Sequence, residues 1–586
     1  MTRSEFIGSN RLRSFSGTPT DRSAIEASQL PLNQGTPNPG VPNGGMGSAE
    51  RKHRDRALAS TTGLELYTGA WGVDQAAHLL RRTMFGARVE DITTVLKGTM
   101  SQAVDMLLTP AATPDPPLIY FNNGHSAQGT TWVSLPYDAT VDDQYLASLT
   151  GWWINLMQTQ NISIAEKMTL FWHNHFATGS ATVKSSQYMY QQNALLRQNA
   201  LGNFKALAKQ ITFNPATLRY LSGNQNTKVS PNENYGRELQ ELFTIGKGPE
   251  ISTGNYTTYT EADVKAAAHV LTGWSDDAVN LKAVFNPANH DSGNKQFSSA
   301  YGNTVIKGGA DQAGATREID DLLTMIFNQR ATALYISRKI YRWFIDYVID
   351  ANIEKNVIGP MADLMMQNNY DVKPVLAALF KSAHFYDVDH VGSMIKNPID
   401  FTIGTLRLFD VAYANMIDLL RHYYAWIGVQ RTTASMAMTL CLPPNVAGWA
   451  AYYQDPVYYE LWVNSDTLQK RIKFVDDLAI DGYTLPENQV KTYIDVLAFA
   501  KLTSDPSKAD TLIAEWCKFL FPIVIDPDQV TTLHDSLLNG LPNYEWGVEW
   551  NDYINNPTDA TKQKTVEDKL RTLLKYMLEM AEYQLM

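Results

Sequence analysis

Cysteine is almost absent. Cys441 and Cys517 are the only two in 586 residues, far apart, with no CxxC pair and no zinc spacing. A disulfide framework is excluded, and each reads as a small buried hydrophobe. Long apolar runs are missing too: no stretch approaches the roughly 18 consecutive apolar residues that a membrane span needs. The first 30 residues lack the apolar core of a secretory signal. As written the chain reads as cytoplasmic, with a removed export leader as the alternative. Positive charge is scarce. Against 60 acidic side chains stand 49 basic ones, a net charge of -11. That balance argues against broad nucleic-acid binding and against a general attraction to anionic lipid. A phosphate-binding glycine loop, a nucleophile elbow, a dinucleotide fingerprint and an HExxH motif are all lacking, so a Ser or Cys hydrolase has no support.

What is present is core-forming material: 44% of residues are hydrophobic and 11% aromatic. Residues 1–62 are rich in Ser, Thr, Pro, Gly and Asn and read as a disordered arm. The arm ends in the basic cluster Glu50 to Arg56, a solvated tail or a docking segment. Beyond it, helical spacing dominates. Helices are expected over 164–171, 191–210, 317–328, 330–347, 354–368, 373–383, 396–409 and 411–427. The C-terminal part adds 464–479, 488–502, 507–519 and 564–584. A capping box of Thr260 and Asp263 opens another that runs to Trp274. Strand-like alternation is confined to short pieces near 282–286 and 303–307. The fold class is therefore all-α: a helical core domain over 63–470 with a C-terminal helical subdomain, 471–586, packed on it. Two irregular segments, 275–315 and 441–463, interrupt the helices, and long ordered loops are often functional.

Several segments carry candidate chemistry. Asn232 to Phe243 reads as one helix with Tyr235, Leu239, Leu242 and Phe243 on its apolar face. Asn234, Glu238 and Glu241 fall at i, i+4 and i+7 in one polar stripe beside it. Arg237 is placed to pair with Glu241 at i+4, and a buried Glu238 would need a partner from elsewhere. His173 and His175 flank Asn174 among aromatics. On an extended backbone the two would point the same way, as metal pairs do, whereas on a regular helix they stand about 200° apart. His290-Asp291 is a ligand pair or a turn held by Asp and Gly, and His269 lies off the apolar face of its helix. Arg338 and Arg342 stand at i, i+4 beside Lys339. Such a stripe could bind an anion but more often pairs with acidic neighbours. Asn445 and Trp449 sit on the stiff Pro443-Pro444 loop, where Gly448 permits close packing.

These segments, taken in order, resemble a large bacterial family, domain of unknown function 1800. The resemblance is carried by Ala77 to Gly86, Leu170 to Phe176, Leu201 to Phe204, Asn214-Pro215-Ala216, Asn232 to Gly246, and Leu271 to Trp274. It continues through His290-Asp291 with Lys295, Lys396-Asn397-Pro398, Pro443 to Trp449 and Glu582 to Met586, and covers residues 66–586. It implies that the motif residues matter together, in one integrated domain. It also implies an exported bacterial protein, often encoded beside a second family related to sulfatases and phosphatases, whose product is then an expected partner. It implies no reaction.

Two functions are expected from these residues. The first is a metal-dependent hydrolase. His173, His175, Glu238 and Glu241 would hold a divalent metal that activates water, with Glu238, Glu241, His290 and Asp291 as catalytic groups. Asn234, Arg237, Asn445 and Trp449 would orient ligands or substrate. The second is a non-catalytic binding or assembly protein of the cell envelope or extracellular space. There the same residues form a structural polar network, and Trp-rich loops dock a partner or glycan.

Overall fold

Apolar residues at helical spacing set the architecture, and polar caps set its boundaries. The computed structural model describes residues 62–586 except 123, 125, 412, 414–417, 450–460 and 485–490, within one compact unit, Arg56–Met586. The expected arm and its basic cluster lie outside the described residues, Thr62 excepted. Thr62 Oγ1 lies 2.9 Å from the Asp387 carboxylate and 3.1 Å from His384 Nδ1. The described chain is all-α, with four two-stranded antiparallel hairpins between helices.

The helices that frame the site are α1 (Val73–Thr83), α2 (Asp142–Thr159), α3 (Ala165–His175), α4 (Ser186–Gln198) and α5 (Phe204–Thr212). There follow α6 (Glu233–Glu238), α7 (Glu261–Val270), α8 (Gln312–Phe327), α9 (Arg330–Phe344), α10 (Gly359–Gln367), α11 (Pro398–Leu408) and α12 (Leu419–Ser435). Two of them, α3 and α11, are buried along their whole length, the signature of helices at the centre of a large core. α2 packs against α12, α4 and both central helices, while α9 packs against α10 and α6 against α7. Among the described residues no helix is long and apolar enough to cross a membrane.

Caps explain where the sequence reading of the helices holds and where it shifts. Thr260 accepts from the Asp263 amide and the Asp263 side chain answers, so α7 opens as expected. The single helix expected over 191–210 is two. The chain turns at Leu201-Gly202, and Asn203 restarts it as the cap of α5, accepting from the Ala206 amide at 3.0 Å. The helix expected over 411–427 begins later, at Leu419, because Asp418 caps it, and runs to Ser435. The one expected over 488–502 is, among the described residues, only Val496–Ala500, preceded by a strand that pairs Lys491 and Thr492 with Tyr483 and Thr484. Both strand-like pieces pair: Lys282–Phe285 with Trp274–Asp277, and Val305–Ile306 with Lys295–Gln296.

The helices Pro527–Leu538 and Asn543–Asn555 pack against Ala560–Glu579, and Ala509–Leu520 packs on those two. The chain then returns to the core, where the Lys396 amide donates to Gln584 O and the Met586 amide to Met394 O.

Candidate functional site

The signature segment bends out of regular α geometry. Asn232 caps α6 through the Asn234 amide, and Gly236 lets α6 lie against α7. A Cβ there would stand 3.0 Å from Ala268 N and 3.1 Å from Val264 O. From Leu239 to Thr244 the chain is a π-helix, a rare widening that concentrates at functional sites. It is braced from within by Gln240 Nε2, which donates to Gly236 O at 2.9 Å, and by the Thr244 hydroxyl, which donates to Leu239 O. Carbonyls of this segment are satisfied by side chains from elsewhere. Leu242 O accepts from Tyr335 OH at 2.9 Å and from Lys339 Nζ at 3.3 Å, and Phe243 O lies 3.0 Å from His175 Nε2.

The π-turn also resets the polar stripe. Asn234 is exposed, its amide nitrogen donating to Leu221 O. Arg237 does not reach Glu241. It grips Glu261 through both terminal nitrogens, at 2.6 and 2.7 Å, and Glu233 at 3.3 Å. Glu241 instead accepts from Tyr259 OH at 2.9 Å and from Lys247 Nζ at 2.5 Å. The Glu238 carboxylate is half-buried with no hydrogen-bond or ion-pair partner among the described residues. Burial, followed by the charge of Glu241, pushes it up from 4.5 to about 7, against the pull of Arg237 and Lys247.

Three successive residues at the end of α3 tie it to the segments around it. His173 is buried between the Trp153 and Trp449 rings, and burial lowers it to about 4. Asn174 Oδ1 accepts from the Trp449 amide at 2.9 Å and so pins the Pro443 to Trp449 loop. His175 meets the π-helix, and burial together with the charge of Lys339 drives it well below 6.5. Because α3 stays helical through His175, the two imidazoles diverge. His173 Nε2 and His175 Nδ1 are buried without partners among the described residues.

The His290-Asp291 pair forms a different assembly. His290 Nδ1 lies 2.9 Å from Thr272 O, and its Nε2 lies 3.1 Å from a carboxylate oxygen of Glu318. Glu318 is wholly buried. It also binds Lys295 Nζ at 2.5 Å and accepts from the Gly309 amide at 2.7 Å. Asp291 faces away, to His269 Nδ1 at 2.6 Å. The expected metal set of His173, His175, Glu238 and Glu241 does not assemble. Among the described residues no three His, Cys, Asp or Glu side chains converge so as to hold a metal ion. The physical reason is the helical divergence of the histidines; the expected catalytic pair, His290 and Asp291, is separately held by Glu318 and His269.

What does converge is a cleft of about 340 Å³. Asn174, Glu241 and Asn445 reach it from three of the motif segments, and Lys247 follows the π-helix. α9 supplies Arg338, Lys339 and Arg342. Among the described residues that line the cleft, four basic side chains thus stand with a single carboxylate, Glu241. Arg338 is clamped by Glu354 through two hydrogen bonds, the acidic pairing its stripe led one to expect. Lys339 lies over the Tyr335 ring, 5.0 Å from its centre. Burial and the neighbouring Arg342 lower it to about 7. Asn445, expected to orient a ligand, does line the cleft, its side-chain oxygen accepting from the Ala447 amide. Trp449 is buried behind it. Sequence reasoning missed Lys247 and Tyr335. The available signal was the i, i+4 basic stripe, whose middle residue, Lys339, also faces the cleft.

A family model described as a protein of unknown function, DUF1800, matches residues 78–585. No curated protein and no solved structure matches the chain.

Proposed function

We propose, from the premise that the chain belongs to the DUF1800 family, that the cleft between α3, the π-helix and α9 binds a small anionic ligand. One observation carries this reading: three sequence-distant motif segments and a cationic helix face line one cavity. The Arg342 guanidinium, with Lys339, which an anion would help to protonate, and Lys247, beside a largely apolar wall, suits a phosphate, sulfate or carboxylate group, with the rest of the ligand against Phe171, Tyr335 and Trp343. Asn174 and Asn445 supply neutral polar contacts.

Thermal unfolding in inorganic phosphate, sulfate and citrate tests the proposal, each compared with chloride at matched ionic strength. A ligand at a hundredfold excess over its Kd should stabilise the fold by about 2.7 kcal/mol. Arg342→Met should abolish the rise while leaving the unliganded Tm within a few degrees. No anion-specific rise at millimolar concentration would contradict the reading.

Glu238 favours a second reading, acid–base catalysis beside the same cleft. A carboxyl held at about 7 exchanges its proton at neutral pH, where a general acid or base is most useful. Hydrolysis of an anionic substrate is the form this would take. Metal dependence would require ligands beyond the histidines first expected.

The raised Glu238 has a measurable consequence for stability. The folded carboxyl titrates at about 7 against 4.5 ordinarily, so the protonated form favours the fold. The contribution of this group to stability is greatest below 4.5, falls as pH rises from there to about 7, and stays at its lower value above. Glu238→Gln should therefore raise Tm at pH 8, and the gain should shrink towards zero as pH falls to 4.5. A pH-independent effect in chemical or thermal unfolding would contradict the assignment.

A further inference from the structure

A second constellation lies in the core, between the two central helices. Lys167 on α3 contacts one oxygen of Asp400 on α11, and the other oxygen accepts from Asn397 Nδ2 at 2.5 Å. Asn397 caps α11. Its side-chain oxygen accepts from the amides of Ile399 and Asp400, each at 2.9 Å. Those two bonds identify the oxygen and leave the nitrogen facing Asp400. All three side chains are out of water: Lys167 is 1% exposed, Asn397 0% and Asp400 3%. The rings of Phe85 and Trp343 stand 5.2 and 5.8 Å from the lysine nitrogen. The other cations nearby are occupied, Lys396 Nζ on Tyr583 O at 2.6 Å and Arg82 on His390 O at 2.6 Å.

We propose that Lys167 and Asn397 join in an intramolecular isopeptide bond, with Asp400 as the proton relay. One carboxyl touches both the attacking nitrogen and the departing one, which the reaction requires. Lys167 Nζ, as the free amine, adds to Asn397 Cγ, and the charge that develops on Oδ1 meets the two backbone amides that already hold it. Asp400 takes a proton from Nζ and delivers one to Nδ2. The Nζ–Cγ bond forms, the Cγ–Nδ2 bond breaks, and ammonia leaves. No electron is gained or lost and no co-reactant is needed. Burial shifts both groups towards the neutral amine and protonated acid that start the sequence, lowering Lys167 and raising Asp400 against the mutual attraction of the pair. The absence of water also protects the acyl carbon from hydrolysis. The product would tie α3, which carries the cleft residue Asn174, to α11 by a covalent bond.

Intact-mass measurement of the denatured full chain tests the proposal, followed by proteolysis and fragment sequencing. The expected result is a mass about 17 Da below the sequence value, the loss of one ammonia, and a branched peptide joining Lys167 to residue 397. Asp400→Asn and Lys167→Met should restore the full mass. A wild-type chain at its sequence mass would overturn the proposal, as would a deficit of ammonia localised to a cyclised asparagine elsewhere. A deficit of about 18 Da joining Lys167 to Asp400 would also overturn it, since water would then have been lost from the relay itself. The wild-type measurement decides the matter even if neither variant folds.

Discussion

Replacing Glu318 by alanine should destabilise the protein by about 3–5 kcal/mol, the range for breaking a buried charge pair by removing one partner. Glu318 is wholly buried and holds Lys295 Nζ at 2.5 Å, His290 at 3.1 Å and the Gly309 amide at 2.7 Å. Lys295 and His290 are themselves buried. Lys295 cannot swing into solvent without opening the hairpin that it and Gln296 form with Val305 and Ile306. The variant therefore leaves the buried Lys295 ammonium without its carboxylate, with the Asp291 carbonyl as its remaining acceptor, a cost that grows with burial. Urea unfolding of the variant against wild type measures it, and a difference below about 1 kcal/mol would mean that the triad carries little. Replacing the whole triad with apolar residues, Lys295→Met, Glu318→Leu and His290→Phe, should recover much of the loss, because no buried charge then remains. Anion-dependent stabilisation should survive in both variants, since the triad does not line the cleft.

The same contrast shows how far the residues alone reach. Helical spacing and caps fix most of the fold: the Thr260 and Asp263 box opens α7 where expected, and Asn397 caps α11. Errors arise where one cap outcompetes a continuous apolar pattern, as at Asn203 and Asp418. The signature segment, 232–243, does reach the candidate site, but its π-turn is invisible to a 3.6-residue period. The widened turn exists because Tyr335, Lys339 and His175, each remote in sequence, satisfy its carbonyls. His173 and His175 invite a metal reading because a two-residue spacing aligns them on an extended chain, and a helix undoes that alignment. His290-Asp291 and Lys295 read as chemistry or a turn, and only the fold reveals Glu318 between them. The basic stripe divides its residues. Arg338 finds its acid in Glu354, sixteen positions away, while Lys339 and Arg342 also face the cleft.

Deleting Tyr583 to Met586 should cost more than any single substitution above and leave the chain largely unfolded at 37 °C. Only four residues are lost, but Tyr583, Gln584 and Met586 are buried. The Tyr583 hydroxyl meets Thr405 at 2.7 Å, and its carbonyl accepts from Lys396 Nζ at 2.6 Å. Gln584 holds Arg471 through its side chain and the Lys396 amide through its carbonyl. Burial already drives Lys396 well below its ordinary 10.5, and Arg81 and Arg471 add repulsion. Without Tyr583 O that ammonium loses its acceptor, in a region whose nearest carboxylate, Asp400, is engaged by Lys167. The removed Tyr583 and Met586 side chains leave a core void, for which truncating one large residue costs about 3–5 kcal/mol. Adding one unsatisfied buried cation, at several kcal/mol, consumes the 5–15 kcal/mol typical of a folded protein. Circular dichroism at 37 °C and resistance to protease read the outcome directly. Tyr583→Phe separates the terms, because it removes only the Thr405 hydrogen bond and should cost about 1 kcal/mol. If the deletion variant melted within a few degrees of wild type, Lys396 must find another acceptor. The buried charges around α11 would then be more adaptable than their packing implies.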